Sequence, residues 1–392
     1  MKHASRLISA ASLVAVLFAG ATIPALAAEP HTRLDISDPV AVLGELVPNV
    51  LSQTSLSSYE TLEATSFADG VVPDVPRFSL DNSPKDSTLS VSVENTGSNN
   101  DESFKITITP DFVDSPSVQT EGLSVSLSER GDAALYVQPI VDGLRLTSAI
   151  SGPEAGGVFA YKLDVPKGTE AFSAGDGRLI LWAPPTGPAG EPVYMGSIEA
   201  PWAIDAAGTT LPTWYEWADG VLTQFVDLEK VLEYPVIADP AWGYGHTVSF
   251  SSAVHTQYDV WTELTRCFNC SFPISGATSS FPGIGGVLNL DASPFTCLVS
   301  VPATVEVMDK FINPQIARFQ FRALPGHFDG AGSTIGFSFY NASWDSNNLN
   351  LEVLAWVLVD RGAAANAVNR LVAQSQWNTF AVQLNDNMLT YG

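Results

Sequence analysis

The sequence predicts two folds in tandem: a mainly β N-terminal domain, antiparallel and sandwich-like, then an α+β domain with helices on one face of an antiparallel meander. Three observations predict this. Short alternating runs such as "STLSVSVEN", "SFKITITP" and "GLSVSLSE" recur at roughly ten-residue spacing with Gly, Asn, Asp and Pro between them. Late in the chain the apolar period changes from two to that of a helix. The charge is also uneven. Residues 28–241 hold 32 acidic and 10 basic side chains, net -22, while residues 242–392 hold 10 and 6, net -4.

The first 27 residues read as a secretory signal peptide. Lys2 and Arg6 precede an apolar run from Leu7 to Gly20, and Ala25-Leu26-Ala27 forms a small-x-small cleavage site. The run is broken by Pro24 and falls short of the roughly 20 apolar residues that span a bilayer. No cysteine follows the cleavage site, which removes a lipoprotein anchor, and no later segment is apolar enough to cross a membrane. A secreted, extracellular product with no integral membrane segment is therefore expected. Its net charge of -24 in the full chain argues against nucleic acid, which rewards clustered Lys and Arg. No Asp-x-Asp-x-Asp calcium loop accompanies the acidity, which reads as solubility.

Residues 28–75 are rich in Ser, Thr and Glu and read as an extended or poorly ordered arm. It contains one short helix signal, "DPVAVLGELV", where Asp38 caps and Pro39 starts. The acidic β-sandwich-like domain spans 76–242. The final run of that domain, "APWAIDAAGTTLPTWYEWADGVLTQFVDL" and then "YPVIADPAW", resembles a β-rich N-terminal module of exported proteins of high-GC Gram-positive bacteria. There "YPVxADPxW" closes the module, matched here by Tyr234, Pro235, Ala238, Asp239, Pro240 and Trp242, with Pro201, Trp202, Asp205 and Gly208 upstream. The resemblance covers roughly residues 135–242, implies an extracellular β domain and supplies no catalytic residue. The cysteine-containing part that follows resembles a C-terminal domain of uncharacterised exported proteins of the same bacteria.

That second domain, 246–392, opens with a helix over 257–266 that puts Val260, Trp261 and Leu264 on one face. "ARFQFRA" alternates Phe319 and Phe321 against Arg318, Gln320 and Arg322, and "STIGFSF" does so with Ile335, Phe337 and Phe339. "LNLEVLAWVLV" is apolar on one face throughout and on both faces in its second half, so its far end requires cover on both sides. Two helical stretches follow, one through Ala367, Val368 and Leu371 and one through Trp377, Phe380 and Leu384.

Chemistry is sparse. Cys267 and Cys270 stand three apart, at the end of a helix rather than the start, which removes the dipole that activates a redox thiol. Zinc would need a fourth ligand beside Cys267, Cys270 and Cys297, and neither His246, His255 nor His327 lies at a telling spacing. Export favours a structural disulfide. The expected pair is Cys267 with Cys297, worth about 3 to 4 kcal/mol by loop closure, and exchange of Cys267 for Cys270 in that pair stays open. "LPGHFDGAGSTIGFSF" offers His327 and Asp329 two apart in a Gly-rich connection. They suit either a general acid/base pair or a β-turn built on Asp329-Gly330. The stretch from Trp214 to Trp217 with Trp242 reads as core packing or as a carbohydrate platform.

No cofactor or metal motif is present in the sequence. These readings favour a secreted, non-enzymatic envelope or interaction protein, or an effector whose activity lies in its C-terminal domain. Its partner would be a protein, the cell wall or a small apolar ligand. The alternative is a secreted hydrolase of cell-wall polymers working through His327 and Asp329.

Overall fold

The computed structural model describes residues 34–51, 75–81, 88–94, 104–115, 117–120, 123–140, 143–185, 192–243, 245–250, 255–292, 302–342, 345–359 and 363–391. The expected signal peptide, most of the arm and Cys297 lie outside them. Residues Leu34–Gly392 form one compact unit.

Part of the arm is helical and docked rather than extended. Asp38 Oδ1 accepts the Ala41 N–H at 3.0 Å and starts the helix Pro39–Leu46, as the Asp-Pro pair predicts. Val42 and Leu43 are then buried against Leu123, Tyr136 and Ile237, so apolar burial holds the segment down.

The β-rich region is two facing antiparallel sheets. One has six strands, in the spatial order Val75–Asp81, Thr88–Glu94, Phe104–Pro110, Val158–Asp164, Val221–Val226 and Thr213–Ala218. The other contains Ala133–Ile140, Gly143–Ile150, Ala241–Gly243, Val193–Ile198 and Leu179–Ala183 as successive neighbours. Ile106, Phe159, Tyr161 and Leu222 of the first sheet meet Leu146, Ile180, Met195 and Ile198 of the second in a common core. The Val193–Ile198 strand carries Gly196 at φ +98, where a Cβ would fall 2.6 Å from the Trp242 indole nitrogen. That nitrogen donates to the Met195 carbonyl at 3.0 Å, so only glycine admits the close approach.

The third sheet is the predicted meander. Its order is His246–Phe250, Asp345–Trp356, Thr334–Ala342, Ile316–Ala323, Pro302–Ile312 and Val287–Asp291. Phe319, Phe321, Phe337, Phe339, Leu349 and Leu351 share one face and are covered by three helices: Gln257–Arg266, the single turn Phe268–Ser271 and the long Ala363–Tyr391. The first of these begins with a capping box between Thr256 and Asp259. The two helical stretches expected at the end are one continuous helix of 29 residues. Leu354 and Trp356, the residues that demanded cover on the second face, lie buried with Ile140 and Ala241 of the β-rich region. The meander is thus the middle layer, with helices on one side and the sandwich on the other.

Candidate functional site

His327 and Asp329 sit in the connection between Ile316–Ala323 and Thr334–Ala342. The loop is closed by backbone bonds: His327 N–H to the Leu324 carbonyl at 3.0 Å, and Gly330 N–H to the His327 carbonyl at 3.0 Å. Gly326, Gly330 and Gly332 take positive φ there. His327 Nδ1 accepts the Asp329 backbone N–H at 3.0 Å, and the ring stacks on Phe328. The Asp329 carbonyl accepts from Ser333 Oγ and from Val359 N–H, pinning the loop to the chain after the last strand. The bond from the Asp329 N–H to the His327 ring helps to build a turn.

The cysteine pairing differs from the expected one. Cys267 is bonded to Cys270, with Cα atoms 5.3 Å apart, and not to Cys297. The reason is local. Cys267 ends the helix Gln257–Arg266, its N–H still bonded to the Glu263 carbonyl, and the chain turns at once into Phe268–Ser271. That turn brings Cys270 back beside Cys267 within disulfide range. Among the described residues no group of three or more His, Cys, Asp or Glu could hold a metal ion.

The largest concentration of buried charge lies where the meander meets the sandwich, and the sequence reading missed it. Glu352 is fully buried; its Oε1 accepts from Tyr194 Oη at 2.8 Å and from Ser197 Oγ. Arg178 Nη1 lies 3.7 Å from Glu352 Oε2, and Arg178 Nη2 donates to Ser338 Oγ at 2.9 Å. Ser338 and Glu352 are cross-strand partners, so one guanidinium reaches both. Arg318, placed by alternation opposite the phenylalanines, points into the same seam. It donates to the Ala174 carbonyl at 2.6 Å and to Asp309 at 2.8 Å, with Asp176 at 3.4 Å. Trp182 Nε1 donates to Tyr340 Oη at 2.7 Å. Burial raises the Tyr194 and Tyr340 hydroxyls well above the ordinary range, and the Glu352 charge adds to it. Both phenols are therefore neutral, Tyr194 donating to Glu352 and Tyr340 accepting from Trp182. The available signal was a charged residue inside an otherwise apolar run, as in "GRLILW" and "LNLEVLAW".

Deeper in the sandwich, buried Arg145 lies 3.7 Å from Glu199, whose side chain is 31% exposed. Asp239 of the "YPVIADPAW" run is buried beside them and accepts the Trp202 N–H at 3.3 Å. Burial, then the Glu199 charge, push the Asp239 carboxyl well up, against the pull of Arg145. Asp205, equally inaccessible, goes the other way. Burial raises it, but N–H donors at Leu232 (2.9 Å) and Thr209 (2.7 Å) outweigh that and hold it low.

The apolar face of the meander is filled. The Phe319 and Phe337 rings stack at 4.7 Å, and the Trp377 ring meets Phe337 edge-on at 4.9 Å. Phe268, Phe272 and Phe380 close the remaining sides. The Trp stretch divides: Trp242 is core, Tyr215 and Trp217 turn inward, and Trp214 turns out to solvent.

No protein-family model matches the chain, and no curated protein matches it. Among solved structures, protein MLL2253 from Mesorhizobium loti is similar at 12% identity over 38% of this chain and 99% of that one, with a TM-score of 0.26. Protein BH1534 from Bacillus halodurans is similar at 15% identity over 37% and 96%, TM-score 0.26. The di-domain ARO/CYC StfQ of the steffimycin biosynthetic pathway is similar at 9% identity over 71% and 88%, TM-score 0.29. Likenesses this weak carry no argument about function.

Proposed function

We propose that the chain is a secreted, non-enzymatic interaction protein of the cell envelope, of the exported type that its "YPVIADPAW" module resembles. The observation that carries this reading is the seam. The side chains that converge with charge, Arg178, Arg318, Glu352, Asp176 and Asp309, are engaged with one another and hold the meander on the sandwich. Charges committed to an internal contact give the two parts fixed relative positions, which suits a surface that binds by shape. His327, the side chain on which hydrolysis would depend, contributes Nδ1 to its own turn. Envelope protein and cell-wall polymer remain the partner classes that fit export and acidity. A small apolar ligand fits less well, because the aromatic face it would need is occupied by the helices.

The test is fractionation of the producing cells with N-terminal sequencing, followed by sedimentation of the purified chain with isolated cell walls. Material starting after Ala27 that sediments with walls without releasing soluble fragments is the expected result. Release of fragments that is abolished by His327→Ala would establish the hydrolase instead.

A further inference from the structure

We infer that Trp214 is the centre of a binding platform for a neutral pyranose ring, on the solvent face of the six-stranded sheet. The inference rests on the envelope-binding reading for its biological setting and names the ligand class. Trp214 is 46% exposed, and its indole lies parallel to its cross-strand partner Phe225, with ring centres 5.3 Å apart and planes within 6°. Phe225 is in turn paired with Val158, which is 56% exposed, so three strands present one apolar row. Thr213–Ala218 is the terminal strand of this sheet, its bonded neighbour there being Val221–Val226. Phe225 supports the inner face of the indole and leaves the outer face toward the open edge.

The next row along the same face is Glu216, Thr223 and Ala160, and the one after it contains Lys162. An apolar strip one ring wide, bordered by a carboxylate and a hydroxyl, matches a sugar, which has an apolar C–H face and a rim of hydroxyl groups. Other occupants fit poorly. A stable protein interface covers about 800 Å² on each partner, far more than three side chains supply. Nucleic acid and anionic lipid call for clustered Lys and Arg, whereas this chain carries -24 and puts Glu216 beside the strip. The Phe225 stack also fixes the indole before binding, which lowers the ordering cost of capture.

The experiment uses the full secreted chain with chitohexaose and cellohexaose as neutral probes and heparin as an anionic one, read by calorimetry. Binding of at least one neutral probe is expected, weakened by about tenfold or more in Trp214→Ala and largely kept in Trp214→Tyr. Because Trp214 faces solvent, the Ala variant is expected to melt close to the parent, which keeps the comparison clean. Equal binding by the Ala variant, binding of heparin alone, or binding of neither neutral probe overturns the platform. Sedimentation with whole cell walls separates this outcome from the broader reading: walls bound equally by parent and Trp214→Ala leave the envelope role standing and remove the platform.

Discussion

The buried Glu352 carboxylate accepts a hydrogen bond from the Tyr194 hydroxyl at 2.8 Å, across 158 residues of sequence. The same hydroxyl accepts the Gly245 N–H at 3.2 Å, just where the chain passes from sandwich to meander. Tyr194 therefore ties together the connecting residue, the sandwich and the strand Asp345–Trp356 of the C-terminal sheet. A buried carboxylate is costly unless its charge and lone pairs are met. Here Tyr194 and Ser197 satisfy Oε1 from the sandwich side, while Oε2 has the Arg178 charge 3.7 Å away and no hydrogen bond among the described residues.

Removing the carboxylate should be expensive. Glu352→Ala leaves buried Arg178 with only Asp176, 4.0 Å away, as a counter-charge and is expected to cost about 3 to 5 kcal/mol. Tyr194→Phe removes the bonds to Glu352 and from the Gly245 N–H and should cost about 1 to 3 kcal/mol. Glu352→Gln, which still accepts from Tyr194, should fall below Glu352→Ala. Urea unfolding of the full chain measures all three, and a double variant of Arg178 and Glu352 should cost less than the sum of the singles.

Two buried aspartates should bend the pH dependence of stability in opposite directions. Asp239 is raised by burial and by Glu199, so the folded state binds its proton more tightly than the unfolded state does. Its contribution is fully present below the usual carboxylate range and declines as pH rises through the raised value. Asp205 is held low by backbone N–H groups, so its contribution is present above the usual range and is lost as pH falls through the lowered value. Melting curves from about pH 3 to about pH 8 should show Asp239→Asn gaining on the parent toward the alkaline end. Asp205→Asn should lose most there and converge with the parent in acid. A flat difference for either variant would refute its assignment.

The disulfide should matter little to global stability. Closing the shortest of loops is worth about 2 kcal/mol in the chain-entropy model, against the larger value expected for a bridge to Cys297. Reduction should therefore shift unfolding only slightly. Peptide mapping without reductant checks the pairing, but trypsin alone does not, because its cuts after Arg266 and Lys310 leave all three cysteines in one fragment. A second cut before Asp291, by an aspartate-specific protease, should free Cys297 from a fragment that keeps Cys267 and Cys270 together.

The elements were legible where local pattern and burial agree. Asp38-Pro39, the 257–266 helix and the alternation of Phe319, Phe321, Phe337 and Phe339 each follow from spacing alone. The double-sided character of Leu354 and Trp356 even announced a second covering layer. Alternation also placed Arg318 opposite the phenylalanines, but it says nothing about what covers that opposite face, so the burial of Arg318 and Glu352 was not legible. Trp214 and Trp217 illustrate the same limit. Three residues apart in a cluster of aromatics, they differ in fate because a strand turns odd and even residues to opposite faces. The cysteines went astray for a different reason. A helix-end turn brings residues three apart within bonding distance, whereas the sequence reading weighed loop closure over the longer span.

The last prediction decides whether the aromatic face of the meander is core or pocket. Phe337 is fully buried and touches Phe319, Phe321, Phe272, Trp377 and Phe380, contributed by the neighbouring strand, the residue that ends the short turn and the long helix. A ring packed against the neighbouring strand, the turn and the long helix has lost its hydration completely, and truncating it leaves a cavity that those rings can fill only by leaving their own contacts. Phe337→Ala in the full chain should therefore cost about 3 to 5 kcal/mol. The parent protein should show no saturable binding of an apolar fluorescent probe, because the rings already occupy the space between sheet and helix. The variant, with a cavity lined by Phe and Trp, should gain affinity for a benzene-sized ligand, as apolar cavities of this kind do. Saturable probe binding by the parent, combined with a loss below about 1 kcal/mol in the variant, would show instead that the face lines a pocket.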